Sequence, residues 1–455
     1  MSRTASSRWH DAALQALVQP HQVHRDLYLD ADLFALEMQR LWARSWLYVG
    51  HTSQVPDAGD FITAQLGAQP VLMVRRGDGG VSVLLNRCAH KGSMLTVEPH
   101  GHMGRTLRCP YHSWSYRLDG SLLGIPLRDG YRNACFEAAP AAKGLSGYGE
   151  VALHRGFVFA RGTPAGVSFE TWAGELRSAL DLLADRSPSG ELRMAGGVLR
   201  TTVRANWKIY LENINDAVHP VSAHQSANDA ARQVWATQTS GTAAPLAVQQ
   251  LLPFGSGHDF FQRMGGRVLP HGHSILGTQY SIHTGVASGA AALPGYAEQL
   301  HAAHGEARAR QVLAFTPQNV VFYPAIALKG APQVLRVIRP LAVDRTLIEA
   351  WAFEPVGAPA QLLESALTYN CSVFSPTSIV AADDLHLFES VQRGLAAQAN
   401  PWVSLHRDAC ADTEAVPRDV SGIDEALLRN QYRAWVEGMQ DGLVGALTTA
   451  GETAK

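Results

Sequence analysis

The sequence is poor in several things at once. It has no apolar run approaching the roughly 18 residues a membrane-spanning helix needs. Its start, Met1-Ser2-Arg3-Thr4-Ala5-Ser6-Ser7-Arg8, has none of the apolar core of a secretory leader. It has almost no net charge: Lys+Arg 38 against Asp+Glu 40 give a formal −2, so no summed positive field draws in nucleic acid or an anionic membrane surface. Only 17% of its 455 residues are charged while 46% are hydrophobic, which excludes a disordered chain. Its five cysteines, Cys88, Cys109, Cys135, Cys371 and Cys410, are too few and too scattered for a disulfide framework. No glycine-rich loop has a dinucleotide or phosphate-loop pattern, so NAD(P)H or flavin is expected on a different polypeptide. What remains is a cytoplasmic protein of two or three domains, with neither nucleic acid nor membrane as partner.

The periodicity changes along the chain. Phe34, Met38, Leu41 and Trp42 fall at i, i+4, i+7 and i+8 and predict a helix opening at Asp30 or Asp32. Residues 46–162 are short runs of β-formers broken by glycine, with hairpin signals at Gly77-Asp78-Gly79-Gly80 and at Asp119-Gly120, the latter suited to a type I′ turn. This predicts a small antiparallel β domain. Beyond it, a helix is expected over residues 207–217, strands at 320–323, 334–338 and 347–353, and a closing helix after Asp383 with Leu385, Phe388, Val391 and Leu395 on one face. Strands that are grouped rather than alternating with helices make the second unit α+β.

Two of the cysteines arrive with histidines. Cys88-Ala89-His90-Lys91-Gly92 and Cys109-Pro110-Tyr111-His112 are separated by 18 residues between His90 and Cys109, and each offers one thiolate and one imidazole. Two such loops meeting tip to tip supply what a Rieske-type [2Fe-2S] cluster takes, two thiolates on one iron and two imidazoles on the other. Structural zinc also accepts two Cys and two His, but usually from one Cys pair and one His pair, whereas each segment here is mixed. Cys135, Cys371 and Cys410 have no ligand pattern and read as small core residues.

A second cluster runs from Asn206 to His224. On a helix, Glu212, Asp216 and His219 share a face, and Pro220 breaks the helix and lets His224 turn back. Two imidazoles and a carboxylate from elsewhere form the facial triad of non-heme Fe(II) oxygenases. The carboxylate is expected at Asp384, held ionised by the positive end of the last helix, with Asp383 as its cap; read alone, the pair is simply a cap. His271-Gly272-His273 and His100-Gly101-His102 are weaker metal candidates, expected as exposed or hydrogen-bonding side chains. Residues 251–254, Phe260, Ile275 and Val320 are candidates for a pocket wall, with Arg263, Arg267 or His258 as a cation for an acidic substrate.

With both clusters in place the sequence resembles the large (α) subunits of Rieske non-heme iron aromatic-ring-hydroxylating oxygenases. The likeness lies in the two Cys/His segments through Ser113-Trp114, in the run Asn206 to His224 and in Asp383-Asp384-Leu385, and is loosest in its lean towards the branch acting on benzoate-type acids. It implies a small antiparallel β Rieske domain at residues 44–164, inserted in a helix-grip catalytic domain with a large antiparallel sheet formed by 1–43 and 165–455. It implies that Cys88, His90, Cys109 and His112 hold the cluster and that His219, His224 and Asp384 hold the iron. By the same likeness Asp216 couples a cluster histidine of one subunit to an iron histidine of the next, and Asn213 is a polar neighbour of the iron. The implied protein is a terminal oxygenase, a homotrimer with or without a small β subunit, fed from NAD(P)H through a reductase or ferredoxin and acting on an aromatic acid. A Rieske electron carrier with a ligand-binding domain, and a monooxygenase or demethylase, are the other readings. Val218, Ser113 and Lys91 stand where the family often has Tyr, Gly and Arg.

Overall fold

The computed structural model describes residues 8–440 apart from 133, 164–165, 238–243, 279–292, 412 and 414. The chain divides into two compact units, Trp42–Phe169 and, from either side of it in sequence, Met1–Leu41 with Glu170–Lys455.

The inserted unit is built from antiparallel sheets. Four strands run in the order Val81–Leu85, Gln69–Arg75, Asp60–Leu66, His100–His102; Leu122–Gly124, Ser115–Tyr116 and Leu107–Arg108 form a second sheet, and Glu150–His154, Phe157–Arg161 and Leu47–His51 a third. The hairpin at residues 77–80 forms as its glycines predict, closed by Arg76 N–H on the Gly80 carbonyl at 2.8 Å. The second hairpin is not a type I′ turn. Gly120 takes the left-handed conformation at φ +91°, but Asp119 does not. The Asp119 carboxylate instead accepts from the Ser121 N–H at 2.8 Å, a local bond that sets the turn without positive φ at the aspartate.

The larger unit holds an eight-stranded, wholly antiparallel sheet in the order Leu192–Val203, Arg345–Pro355, Val334–Ala342, Ile326–Lys329, Asn319–Phe322, Ser274–Leu276, Gly266–Val268, Arg418–Val420. The three strands expected from sequence lie in it. Helical segments pack on one face, where Val334 and Ala350 of the sheet meet Phe254, Phe261, Tyr369 and Val380 in a buried cluster. The fold is α+β, as expected. Among the described residues no helix is long and apolar enough to cross a membrane.

Several helices differ from their sequence pattern for identifiable reasons. The first, Ala31–Arg40, is capped by Asp30, whose carboxylate accepts from the Leu33 N–H at 2.8 Å. Its buried side is Leu33, Leu36, Glu37 and Arg40; of the expected stripe, Leu41 and Trp42 just past its end are buried and Phe34 and Met38 are half-buried. Glu37 occupies the centre of that side because Trp207 Nε1 (2.9 Å), Lys208 Nζ (2.5 Å) and Trp435 Nε1 (2.7 Å) all donate to it. The Trp207–Asn215 helix stops two residues early, with Asp216 extended at φ −103°, ψ 127°. Asp216 and His219 therefore lie beyond the helix face they were expected to share with Glu212, whose carboxylate accepts from the hydroxyls of Tyr28 and Tyr432. Pro220 does not end that helix; it opens a short one, Pro220–Ala223, at a position where its missing N–H costs nothing. The Ile379–Leu395 helix begins before the aspartate pair, because the Ser378 hydroxyl accepts from the Ala381 N–H at 3.1 Å and is the true cap. Val391 lies outside its buried face, 46% exposed. Cys135, Cys371 and Cys410 are exposed rather than core residues.

Candidate metal centres

In the inserted unit the two Cys/His segments fold as matching loops. The N–H of Gly92 reaches back to the Cys88 carbonyl at 3.0 Å and that of Ser113 to the Cys109 carbonyl at 3.1 Å. Both closing residues are left-handed, Gly92 at φ +77° and Ser113 at φ +60°. The conformation explains why glycine suits the second position and gives Ser113 a cost of roughly 1–2 kcal/mol.

The thiols of Cys88 and Cys109 are free and buried, whereas His112 is exposed and His90 half-buried. The His90 and His112 rings lie 4.7 Å apart, and His90 stacks on Trp114 at 4.8 Å, with its Nδ1 buried and unpartnered. Cys88 Sγ is 3.1 Å from the Tyr116 hydroxyl, a potential-tuning contact for a cluster thiolate. A tetrahedral zinc would draw its four donors to within roughly 4 Å of one another. A [2Fe-2S] cluster instead divides two thiolates and two imidazoles between two irons, the set these two loops offer.

In the larger unit His219, His224 and Asp384 do converge: one donor atom from each lies within 4.8 Å of the others, the only such group among the described residues. Asp384 Oδ1 stands 3.4 Å from His224 Nε2 and 3.8 Å from His219 Nε2. The local backbone explains the meeting. Asp216 ends its helix and caps the next turn, accepting from the N–H of Val218 at 2.7 Å and of His219 at 3.3 Å, and this swings His219 inward; the Pro220–Ala223 turn then carries His224 to the same point. Asp216 Oδ2 also faces His219 Nδ1 at 3.6 Å, and Asp383 Oδ2, held by the Ser226 hydroxyl at 2.8 Å, faces His224 Nδ1 at 4.0 Å. Asn213 Nδ2 donates to Asp384 Oδ1 at 3.2 Å.

The electrostatics suit a cation. Burial pushes His224 down to about 3, with His219 adding to it, so both its nitrogens are free of excess charge. Asp384 sits inside its helix rather than at the N-terminus. Burial raises its carboxyl to about 6 although His219 and Asn213 pull the other way, so the helix end does not hold it ionised as expected. Burial also opposes ionisation of Asp216, but His219, the Val218 N–H and Arg407 outweigh it and hold that carboxyl below its ordinary value. An imidazole pair and a carboxylate around one point, with unpartnered buried Nδ1 atoms behind, is a donor set for one hard-to-borderline divalent metal.

The adjoining cavity is lined from the segments expected: Phe254, and, beside Phe260, Ile275 and Val320, their neighbours Phe261, Leu276 and Asn319. His258 and Arg263 are exposed, and Arg267 is taken by Glu175 and Asp419. The cavity's cations are Lys329 and Arg336, each a charged residue inside an otherwise apolar β-run, a signal present in the sequence. His273 is not a metal candidate: it is buried between the Trp172 carbonyl and the Tyr323 N–H. His102 pairs with Asp60 at 2.8 Å on the surface.

Residues 45–137 match the Rieske [2Fe-2S] domain family, and residues 169–441 match the catalytic domain of ring-hydroxylating α subunits. The chain is 28% identical over 440 residues to the large subunit of anthranilate 1,2-dioxygenase from Acinetobacter baylyi, covering 93% of this chain and 90% of that one. It is 27% identical over 435 residues to the α subunit of toluate 1,2-dioxygenase from Pseudomonas putida, covering 92% and 91%. Naphthalene 1,2-dioxygenase, solved with indole in its active site, shares the fold at a TM-score of 0.74 and 21% identity over 94% of this chain and 96% of that one. With more than half its length in the catalytic-domain match and a Rieske domain ahead of it, the chain belongs to the ring-hydroxylating oxygenase α subunits, Rieske non-heme iron oxygenases that carry a [2Fe-2S] cluster and a mononuclear iron.

Proposed function

We propose that this chain is the terminal oxygenase component that hydroxylates an aromatic carboxylic acid, using O2 and electrons drawn from NAD(P)H through a separate reductase or ferredoxin. His219, His224 and Asp384 hold Fe(II); Cys88, His90, Cys109 and His112 hold the cluster. The observation that carries this reading is the convergence of the first three at one buried point, which a pure electron carrier has no use for. Two relatives named for anthranilate and toluate, both aromatic acids, support the substrate class.

When bound, the iron supplies oxygen-activating redox chemistry and the cluster supplies electrons. The protein's own residues do the positioning. Asp216, whose Oδ2 faces His219 Nδ1 at 3.6 Å, favours the proton on that nitrogen by its charge and so leaves Nε2 as the ligating atom. Asn213 orients Asp384 through the amide contact already described. Phe254, Met264 and Val373 keep water from the site. Two cavities of about 40 and 50 Å³ share Asn213, Arg336, Val373, Phe374 and Asp384. A benzene ring needs on the order of 150 Å³, so Phe374, half-buried between them, moves to admit substrate. The chain works as a homotrimer, alone or with a small β subunit, in which the cluster of one subunit serves the iron of its neighbour by way of Asp216.

The test is purified protein with a reducing partner and a panel of aromatic acids, followed by oxygen uptake and product mass. Uptake coupled to a hydroxylated acid is expected. A protein that takes electrons but consumes no oxygen with any aromatic compound is a carrier and ends this reading.

A further inference from the structure

Two buried cations stand over the cavity beside His219, His224 and Asp384. Lys329 ends the strand Ile326–Lys329 and Arg336 lies in Val334–Ala342. Lys329 pairs with Val334 and Arg336 with Ala327, so the two project from one face of the sheet, and both line the cavity. Each is 4% exposed. Arg336 is committed to its surroundings, donating to the Asn319 side-chain oxygen and lying 4.9 Å over the Phe374 ring. Lys329 is not. Among the described residues its ammonium has no hydrogen bond and no ion pair, only the Tyr369 ring at 6.0 Å.

Burial, with Arg336 adding to it, holds the Lys329 amine well below its ordinary value, so it carries its charge at low cost only when something anionic meets it. Among the described residues no carboxylate pairs with it. Asp384, the acidic group whose field reaches Lys329, is directed to the two imidazoles, and a metal held there takes its charge. With a divalent metal, Lys329 and Arg336 on one side and the Asp216 and Asp384 carboxylates on the other, the cavity keeps a positive balance, and Phe254, Phe261, Met264, Tyr369 and Phe374 give it an apolar and aromatic wall beside three amides. That combination selects a small anion carrying an apolar ring.

We infer that Lys329 is the anchor for the substrate's carboxylate, with Arg336 as a fixed second charge behind it and the ring lying against Phe254 and Phe374. The inference rests on the iron-site reading above, since it takes the adjoining cavity as the substrate's place. Lys329 is a positioning and specificity residue: it sets which ring carbon faces the metal by holding the opposite end of the molecule.

The test is calorimetric titration of the reduced holoenzyme under anaerobic conditions with benzoate and with benzamide, its neutral isostere, on the wild type and on Lys329→Met and Lys329→Arg, with iron content measured for each. Benzoate is expected to bind the wild type about 10- to 100-fold tighter than benzamide, the worth of one charge-assisted hydrogen bond. Lys329→Met removes that preference and leaves benzamide binding in place; Lys329→Arg restores most of it. Equal binding of the two ligands by the wild type overturns the inference and needs no variant to fold, as does unchanged benzoate affinity in an iron-loaded Lys329→Met. The two readings fail separately. Oxidation of neutral aromatics without preference for benzoate removes the anchor and leaves the oxygenase; Lys329-dependent benzoate binding without oxygen consumption removes the oxygenase and leaves the anchor.

Discussion

Asp216 faces His219 with Oδ2 standing 3.6 Å from Nδ1, while the same carboxylate caps the turn that carries the histidine. One side chain thus sets both where the imidazole is and which nitrogen points inward. Asp216→Ala is expected to keep the cluster and most of the mononuclear iron and to lose turnover by at least about 10- to 100-fold, the usual effect of deleting such a partner. Iron content, the spectrum of the reduced cluster and oxygen uptake check this together; full turnover at normal metal content would show that the carboxylate is dispensable.

The two metal sites draw on separate residues, so they separate by mutation. Asp384→Ala or His224→Ala lowers iron from roughly three atoms per chain to roughly two and leaves the reduced-cluster signal intact. Cys109→Ser does the reverse, removing the cluster's colour and sparing the mononuclear site. Metal analysis beside electron paramagnetic resonance reads both; loss of the cluster signal in Asp384→Ala would mean the donor sets were misassigned.

Glu37 is fully buried and takes donors from Trp207, Lys208 and Trp435. Removing its charge strands the Lys208 ammonium in the interior, so Glu37→Gln is expected to cost about 3–5 kcal/mol. Adding Lys208→Met recovers part of the loss, because no charge is then left unpaired. Denaturant melts of the two single variants and the double variant test the coupling; strictly additive losses would count against it.

His273 predicts an acid limb in stability. Its Nδ1 accepts from the Tyr323 N–H at 3.0 Å and its Nε2 lies 2.8 Å from the Trp172 carbonyl, so the ring is neutral with its proton on Nε2. Burial pushes its pKa down to about 3 although the Trp172 carbonyl favours the charged form. An unfolded histidine titrates near ~6.5, so between about pH 6.5 and 3 the unfolded chain binds the extra proton and stability rises with pH. The contribution is fully present above about 6.5 and is lost as pH falls through that window. His273→Gln should flatten the slope of unfolding free energy between pH 6 and 4; an unchanged slope would assign the acid limb to other groups.

How far the sequence could be read depended on what each segment's contacts are made with. The Cys/His loops, the His219/His224 pair and the strands of the large sheet follow from local spacing and β-propensity, and were legible. The buried side of the first helix was not, because its centre is a glutamate whose partners lie about 170 and 400 residues away and leave no apolar period. Asp384 was found for the wrong reason. The residue does meet His219 and His224, but Ser378 moved the helix start, and burial raises the carboxyl where the helix end was expected to favour its charged form. Which side chains of the wall segments face the cavity could not be read, because the Asn319–Phe322 strand is buried on both faces and shows no alternation to fix its register. Lys329 and Arg336 were visible as charges in apolar runs, but only the strand pairing shows that they share a face.

The clasp on Glu37 also sets an order of events on the ribosome. Residues 42–169 are contiguous and can collapse as soon as they emerge, whereas the Ala31–Arg40 helix waits for Trp435, and Arg40 for the carbonyl of Met439, about 400 residues later. At roughly 5–20 residues per second that is a delay of roughly 20–80 s. Until then Glu37 lacks its Trp435 donor and Arg40 its Met439 acceptor, so this helix cannot hold its full set of native contacts while the intervening chain is being made.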